Sequence, residues 1–171
     1  MNLDSFLRDV PDFPKPGIMF KDISPLLASP EAMAYTIDSM AERVSDMKIQ
    51  SVAGIESRGF LFGTPLAIKL GVGFTPIRKP GKLPADTTAV EYLLEYGTDK
   101  LEIHNDAVND GDAVLIVDDV LATGGTAQAA CELVKLVGGS IAGCLFLLEL
   151  GFLNGREKLT GQTVISLLIN D

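Results

Sequence analysis

An α/β domain built on a mostly parallel sheet is predicted by three observations. Short apolar runs of strand length alternate with segments whose apolar residues recur at helical spacing. One run, Val114-Leu115-Ile116-Val117, is apolar without a break, as suits a strand buried on both faces of a parallel sheet. No internal repeat or low-complexity linker divides the 171 residues, which suit one domain (1–171) with a real core.

The elements follow in order. After a short N-terminal helix, Phe13 to Pro25 carries too many prolines for an interior helix or central strand and reads as an irregular flap. Ser29-Pro30-Glu31 is an N-cap with proline at the first helical position. Met33, Ile37, Met40, Val44 and Met47 continue it as one apolar stripe, a packing pattern rather than a cofactor box. Ser51 to Ile55 is a strand, Phe60 to Leu70 a helix bent or begun near Pro65, and Phe74 to Ile77 a second strand. Val90 to Tyr96 and Leu101 to Ile103 flank Gly97-Thr98-Asp99-Lys100 as an antiparallel pair. Asp110-Gly111-Asp112 then turns into the central strand, and a helix follows with its stripe at Ala127, Ala130, Cys131, Val134 and Val137. Ile141 to Leu148 and Thr163 to Leu168 supply the last strands.

Composition excludes several classes. A net charge of -9 argues against nucleic acid as a partner, because phosphate backbones demand a basic face. The acids are unevenly spread, however. None lies between Glu56 and Asp86, an interval that holds Arg58, Lys69, Arg78, Lys79 and Lys82 and can focus a small polyanion. No stretch approaches the ~20 apolar residues of a membrane span, so no membrane is expected as a partner. The N-terminus lacks the apolar core of a secretory signal. Cys131 and Cys144 have no metal-ligand spacing and read as reduced core thiols of a cytoplasmic protein. His104 is the one histidine, too few parts for a histidine metal site or a serine-hydrolase triad, and reads as a surface or strand-edge side chain.

The most informative segment runs from Val114 to Thr126. Asp118 and Asp119 fall at the carboxyl end of the buried strand, where ligands of parallel sheets sit. Thr123-Gly124-Gly125-Thr126 follows, able to turn several N–H groups toward one point at a helix N-terminus, with two hydroxyls beside them. Such a point attracts phosphate. The aspartates repel phosphate and suit sugar hydroxyls, or a Mg²⁺ brought in with the substrate. A nucleotide-triphosphate P-loop is excluded because no lysine follows Gly125. An ordinary strand-to-helix connection capped by Thr123 is the plainer alternative. Two acids, two threonines and two glycines together outweigh it.

The same run, with Ala122-Thr123-Gly124-Gly125-Thr126 at its end, resembles the signature by which type I phosphoribosyltransferases bind 5-phosphoribosyl-1-pyrophosphate (PRPP). Glu56-Ser57-Arg58-Gly59 resembles their pyrophosphate loop, which implies a cis peptide between Ser57 and Arg58. Arg78-Lys79-Pro80-Gly81-Lys82-Leu83-Pro84 and Leu94-Glu95-Tyr96-Gly97 are similar, more narrowly, to the adenine phosphoribosyltransferases. Taken alone the first of these is a solvated loop; within the resemblance it is a mobile lid. Phe13-Pro14-Lys15-Pro16-Gly17 through Ser24 resembles the hood that covers the purine, and Gly155-Arg156-Glu157-Lys158-Leu159 matches more faintly. Lys21 stands where arginine is frequent, and Asp86 and Ala89 where glutamate and serine are often found.

The resemblance implies a type I phosphoribosyltransferase fold with a hood at about 10–28 and a flexible lid hairpin at about 78–105. It implies transfer of the phosphoribosyl group of PRPP to adenine, a purine-salvage reaction giving AMP and pyrophosphate. Asp118, Asp119, Ala122, Thr123, Gly124, Gly125 and Thr126 then hold the ribose and its phosphate, and Ser57, Arg58, Arg78, Lys79 and Lys82 the pyrophosphate. Met19, Phe20 and Lys21 meet adenine, and Glu95 relays the proton that N9 loses. Mg²⁺ is the implied cofactor, carried by PRPP and water without direct protein ligands. A cytoplasmic homodimer is implied as well. Transfer to hypoxanthine, xanthine or orotate, or PRPP sensing without catalysis, remain the alternatives. Such sensors usually carry a DNA-binding module, for which this acidic chain has no room.

Overall fold

The computed structural model describes residues 1–93 and 97–171. Its frame is a five-stranded sheet in the order β4-β3-β7-β8-β9, every neighbouring pair parallel. The strands are β3 (Ser51–Ile55), β4 (Gly73–Ile77), β7 (Ala113–Leu121), β8 (Ser140–Leu150) and β9 (Val164–Asn170). Continuous apolar runs serve both faces at once. On one face Ile116, Cys144 and Phe146 pack under helix α4 (Gly125–Leu136), with its Ala127, Ala130 and Val134. On the other, Leu115, Val117, Leu145 and Leu147 meet Met40 of α2 (Pro30–Arg43) and Phe62 and Leu66 of α3 (Gly59–Leu70). Ser29 caps α2 as its sequence demands, its hydroxyl accepting from the Ala32 N–H at 3.2 Å.

Two antiparallel ribbons flank the sheet. β5 (Thr87–Leu93) and β6 (Thr98–His104) form the hairpin expected around Gly97, with Leu101 and Ile103 buried against the α4 side. The N-terminal flap is more regular than its prolines suggest. β1 (Arg8–Pro11) pairs with β2 (Met19–Asp22), and the one-turn helix α1 (Ser24–Ala28) begins with Pro25 in its first turn. Proline is tolerated there because first-turn N–H groups lack helical partners anyway, so the irregular stretch shrinks to the turn between β1 and β2. α3 likewise begins at Gly59 and holds Pro65 within it.

Strand order locates the crevice. The chain passes from β3 outward to β4, then crosses back to place β7 on the other side of β3. Connections therefore leave in opposite directions from the β3–β7 pair, and a gap opens above its carboxyl end. β7 also outruns its neighbour: pairing with β3 stops at Val117, whereas pairing with β8 continues to Leu121. Asp118 and Asp119 thus lie inside the strand rather than beyond it. On their β3 side the strand has already ended, and the Gly59 backbone at the start of α3 packs against Asp118 instead.

Candidate active site

A cavity of about 640 Å³ lies over that gap. Its floor is the carboxyl end of β7 and the loop to α4: Asp118, Asp119, Val120, Leu121, Ala122, Thr123, Gly124 and Thr126. Met19, Phe20 and Lys21 of β2 close one side, Glu56, Ser57 and Arg58 another, and Lys79, Tyr92 and Asp99 a third. The structure therefore brings together most residues singled out from sequence. Gly125 is buried beneath the cavity, and Arg78 and Lys82 stand beside it without lining it. Glu95 lies outside the described residues.

The loop from β7 to α4 can take its shape only with glycine. Gly124 has φ +80°, and a Cβ there would come within 2.2 Å of the Gly155 carbonyl oxygen. The approach is mutual, since a Cβ on Gly155 would meet the Ala122 carbonyl oxygen at 2.2 Å. Two backbones in contact press this loop into place, and the first N–H groups of α4 are left without helical partners. Thr126 adds a hydroxyl directed at the Tyr92 phenol oxygen at 3.4 Å. Hydroxyls and N–H groups at a helix N-terminus attract an anion such as phosphate. Residues 151–159 are fastened from below: Arg156 donates to both carboxylate oxygens of buried Glu149 at 2.6 and 2.7 Å, and Ser166 donates to the same group. Burial pushes the Glu149 carboxyl up, but these hydrogen bonds outweigh it and hold it below its usual range.

The carboxylates in the cavity differ in kind. Asp119 is buried and accepts from Arg58 Nε at 2.5 Å. Asp118 accepts from the Asp119 N–H at 2.9 Å, and burial, then the Asp119 charge, push its carboxyl well up. A partly desolvated pair of acids suits donors that arrive in pairs, such as two vicinal sugar hydroxyls. Among the described residues no three His, Cys, Asp or Glu side chains converge as a metal site. Asp118 and Asp119 offer the hard oxygen donors that a Mg²⁺ takes.

The pyrophosphate loop departs from expectation at one bond. The cis peptide joins Glu56 to Ser57, one residue earlier than the resemblance implied. Glu56 is still tied to the sheet through its N–H to Ile77, while the Ser57 carbonyl already accepts from Phe60 at the start of α3. The reversal is confined to the bond between them. Arg58 follows in helical conformation, its guanidinium 6.0 Å from the centre of the Phe20 ring. Phe13 meets the same ring edge-on, and the hood is anchored by Asp22. Hydrogen bonds from the Ser24 hydroxyl, the Ser24 N–H and Arg8 hold the Asp22 carboxyl down at about 2.

The interval without acids is not a free cluster of cations. Arg58 pairs with Asp119, Arg78 with Glu56, and Lys79 with Asp99, each acid supplied by a distant segment. Lys69 lies elsewhere, against Asp38 on the outer helices. Arg78 is also bridged to Glu102 of β6 through both backbone groups, so the start of the Arg78-to-Pro84 segment is tied to the hairpin. Tyr92 and Asp99 were missed from sequence. Their signal was alternation: Asp99 continues the inward face of Leu101 and Ile103, and Tyr92 that of Val90, so both point toward the cavity side. His104 and the two cysteines match their plainer readings, the latter buried with sulfurs 3.5 Å apart.

Comparison with known proteins decides the family. Residues 23–162 match the model of the phosphoribosyl transferase domain. The chain belongs to that family. A curated relative, the adenine phosphoribosyltransferase of Maridesulfovibrio salexigens, is 56% identical, the match covering 98% of this chain and 99% of the relative. The crystal structure of the adenine phosphoribosyltransferase of Thermoanaerobacter pseudethanolicus superposes with a TM-score of 0.96 at 54% identity, covering 98% of each chain. That of Saccharomyces cerevisiae, solved with adenine and an imino-altritol bisphosphate, gives 0.91 at 44% identity over 97% of this chain and 96% of that one. The expected type I fold is thus present, with its sheet wholly parallel. No described helix is long and apolar enough to cross a membrane.

Proposed function

We propose that this phosphoribosyltransferase acts in purine salvage, transferring the 5-phosphoribosyl group of PRPP to adenine to form AMP and pyrophosphate. The observation that carries the reading is the single cavity that joins the phosphate cradle, the paired aspartates, two cations and the hood. Relatives named for this activity at 56% identity over nearly the whole chain support it. Thr123 to Thr126 receive the 5′-phosphate, with Ala122 and Gly125 shaping the turn. Asp118 and Asp119 orient the ribose 2′- and 3′-hydroxyls. Arg58 and Lys79, with the Ser57 backbone, take the leaving pyrophosphate, and Arg78 and Lys82 add positive charge from beside it.

Displacement at the anomeric carbon passes through an oxocarbenium-like state, as glycosidic bonds do. Stabilising the departing charge is then the largest contribution, and preorganised cations supply it without reorganisation. Mg²⁺ bound to the substrate phosphates supplies further neutralisation of that charge. The hood holds adenine beside Phe20, with Met19 backbone groups and Lys21 at its edge. Lys21 offers a point charge where a guanidinium would offer a planar fork, so its contact is the less directional. Glu95 accepts the N9 proton. The enzyme works as a cytoplasmic homodimer in this reading.

Incubating the protein with PRPP and adenine, hypoxanthine, guanine or orotate, with and without Mg²⁺, tests it. AMP should form from adenine, in a Mg²⁺-dependent manner, far faster than any other nucleotide. In the same assay Glu95→Gln should depress turnover much more than PRPP binding. Product only from another base would shift the substrate, and no product from any base would leave a PRPP sensor.

A further inference from the structure

Around Lys79 the cavity contains a polar network that no substrate contact explains. The Lys79 ammonium pairs with the Asp99 carboxylate and donates to the Tyr92 phenol oxygen at 3.2 Å. Tyr92 donates to Asp99 at 3.1 Å and accepts from Thr126 at 3.4 Å. Donor and acceptor capacity fixes every proton here. An ammonium only donates and a carboxylate only accepts, so the single phenol proton must go to Asp99, and both phenol lone pairs are taken by Lys79 and Thr126. The two residues face each other across the hairpin, Tyr92 of β5 opposite Asp99 of β6. Leu93 of the same strand rests on the start of α4, its carbonyl 3.2 Å from where a Gly125 Cβ would lie.

A carboxylate is an unexpected neighbour for a cation meant to receive an anion, because it cancels the attraction that the anion needs. Lys79 cannot serve both at full strength. We propose that Asp99 and Tyr92 are positioning residues for the pyrophosphate site. Asp99 stands in for the anion on Lys79 and yields it when pyrophosphate arrives, and Tyr92 keeps Asp99 hydrogen-bonded after the exchange. The device weakens the grip on pyrophosphate, and so on the product that must leave, while holding the lysine in place beforehand. It rests on the assignment of Lys79 to pyrophosphate made above. Burial opposes both charges, but the mutual hydrogen bond, those from Lys100 and Tyr92 and the paired charges together outweigh it, holding Asp99 below and Lys79 above its usual value. Both groups therefore stay charged across the neutral range.

Opposite effects of two small substitutions distinguish exchange from simple support. With inorganic pyrophosphate and Mg²⁺ as the probe, titration calorimetry on the full chain should show Asp99→Asn binding roughly fivefold tighter than wild type, because one opposing charge is gone. Tyr92→Phe should bind roughly threefold more weakly, because Asp99 then keeps only the Lys100 N–H, at 2.8 Å, once Lys79 turns away. In Asp99→Asn/Tyr92→Phe the loss caused by Tyr92→Phe should disappear. Weaker or unchanged binding by Asp99→Asn overturns the proposal, since a scaffold role predicts loss from both variants. The reading of the site itself is checked separately by AMP formation in the wild-type protein. If AMP forms while Asp99→Asn fails to tighten, only the exchange is wrong.

Discussion

Two ion pairs of similar composition do opposite work. Glu149 is 4% exposed and holds Arg156 through both carboxylate oxygens, with Ser166 as a third donor and the Val164 carbonyl accepting from the same guanidinium. Neither Glu149 nor Arg156 lines the cavity. Arg58 and Asp119 also meet closely, yet Arg58 makes one hydrogen bond to its acid and is 48% exposed toward the cavity. The first pair is two-pronged and lies beneath the segment that presses Gly155 against the β7–α4 loop. The second retains unused guanidinium donors, which an incoming anion can take. A two-pronged pair away from the cavity acts as a fastening, and a single-bonded pair lining it has donors to offer a ligand.

Removing a cation from each pair sharpens that contrast. Arg58→Ala should lower turnover about 100-fold through loss of charge at the leaving pyrophosphate, a steady-state rate measurement. Its effect on stability should be the lesser one, because Asp119 loses one hydrogen bond from Arg58 where Glu149 loses two from Arg156. Arg156→Ala should instead cost about 2 kcal/mol of stability at neutral pH, read from urea midpoints, by leaving buried Glu149 without its partner. Turnover per folded molecule should change little. If Arg58→Ala were the more destabilising of the two, the distinction would fail.

The pH dependence of the Arg156→Ala loss carries a definite sign. Glu149 is held below its usual value in the folded chain, so its contribution is complete above the unfolded value near 4.5. It is lost as pH falls through the folded value. The gap between wild type and Arg156→Ala should therefore narrow in urea melts below that range.

How far the sequence could be read depended on the distance over which an interaction acts. Val114 to Val117, the Ser29 cap and the Thr123-to-Thr126 turn are set by neighbours in the chain, and each lies where its pattern requires. The acid-free interval from Ser57 to Ala85 was legible only in part, for the opposite reason. Its cations meet Asp99 and Asp119, brought in by other strands, so charge along the chain did not report charge in space. The contact of Gly155 with Gly124 spans the whole of α4 and β8 and leaves no local trace. Proline count made the flap seem irregular, although strand β2 avoids proline altogether and its pairing with β1 carries the hood.

Diffraction from crystals soaked with AMP, pyrophosphate and Mg²⁺ tests most directly whether this one cavity holds all three parts of the reaction. The account predicts the nucleotide phosphate on Thr123 to Thr126, the ribose hydroxyls on Asp118 and Asp119, the base beside Phe20, and pyrophosphate near Arg58 and Lys79. Nucleotide bound with its phosphate away from the β7–α4 loop, or pyrophosphate away from Arg58, would contradict it.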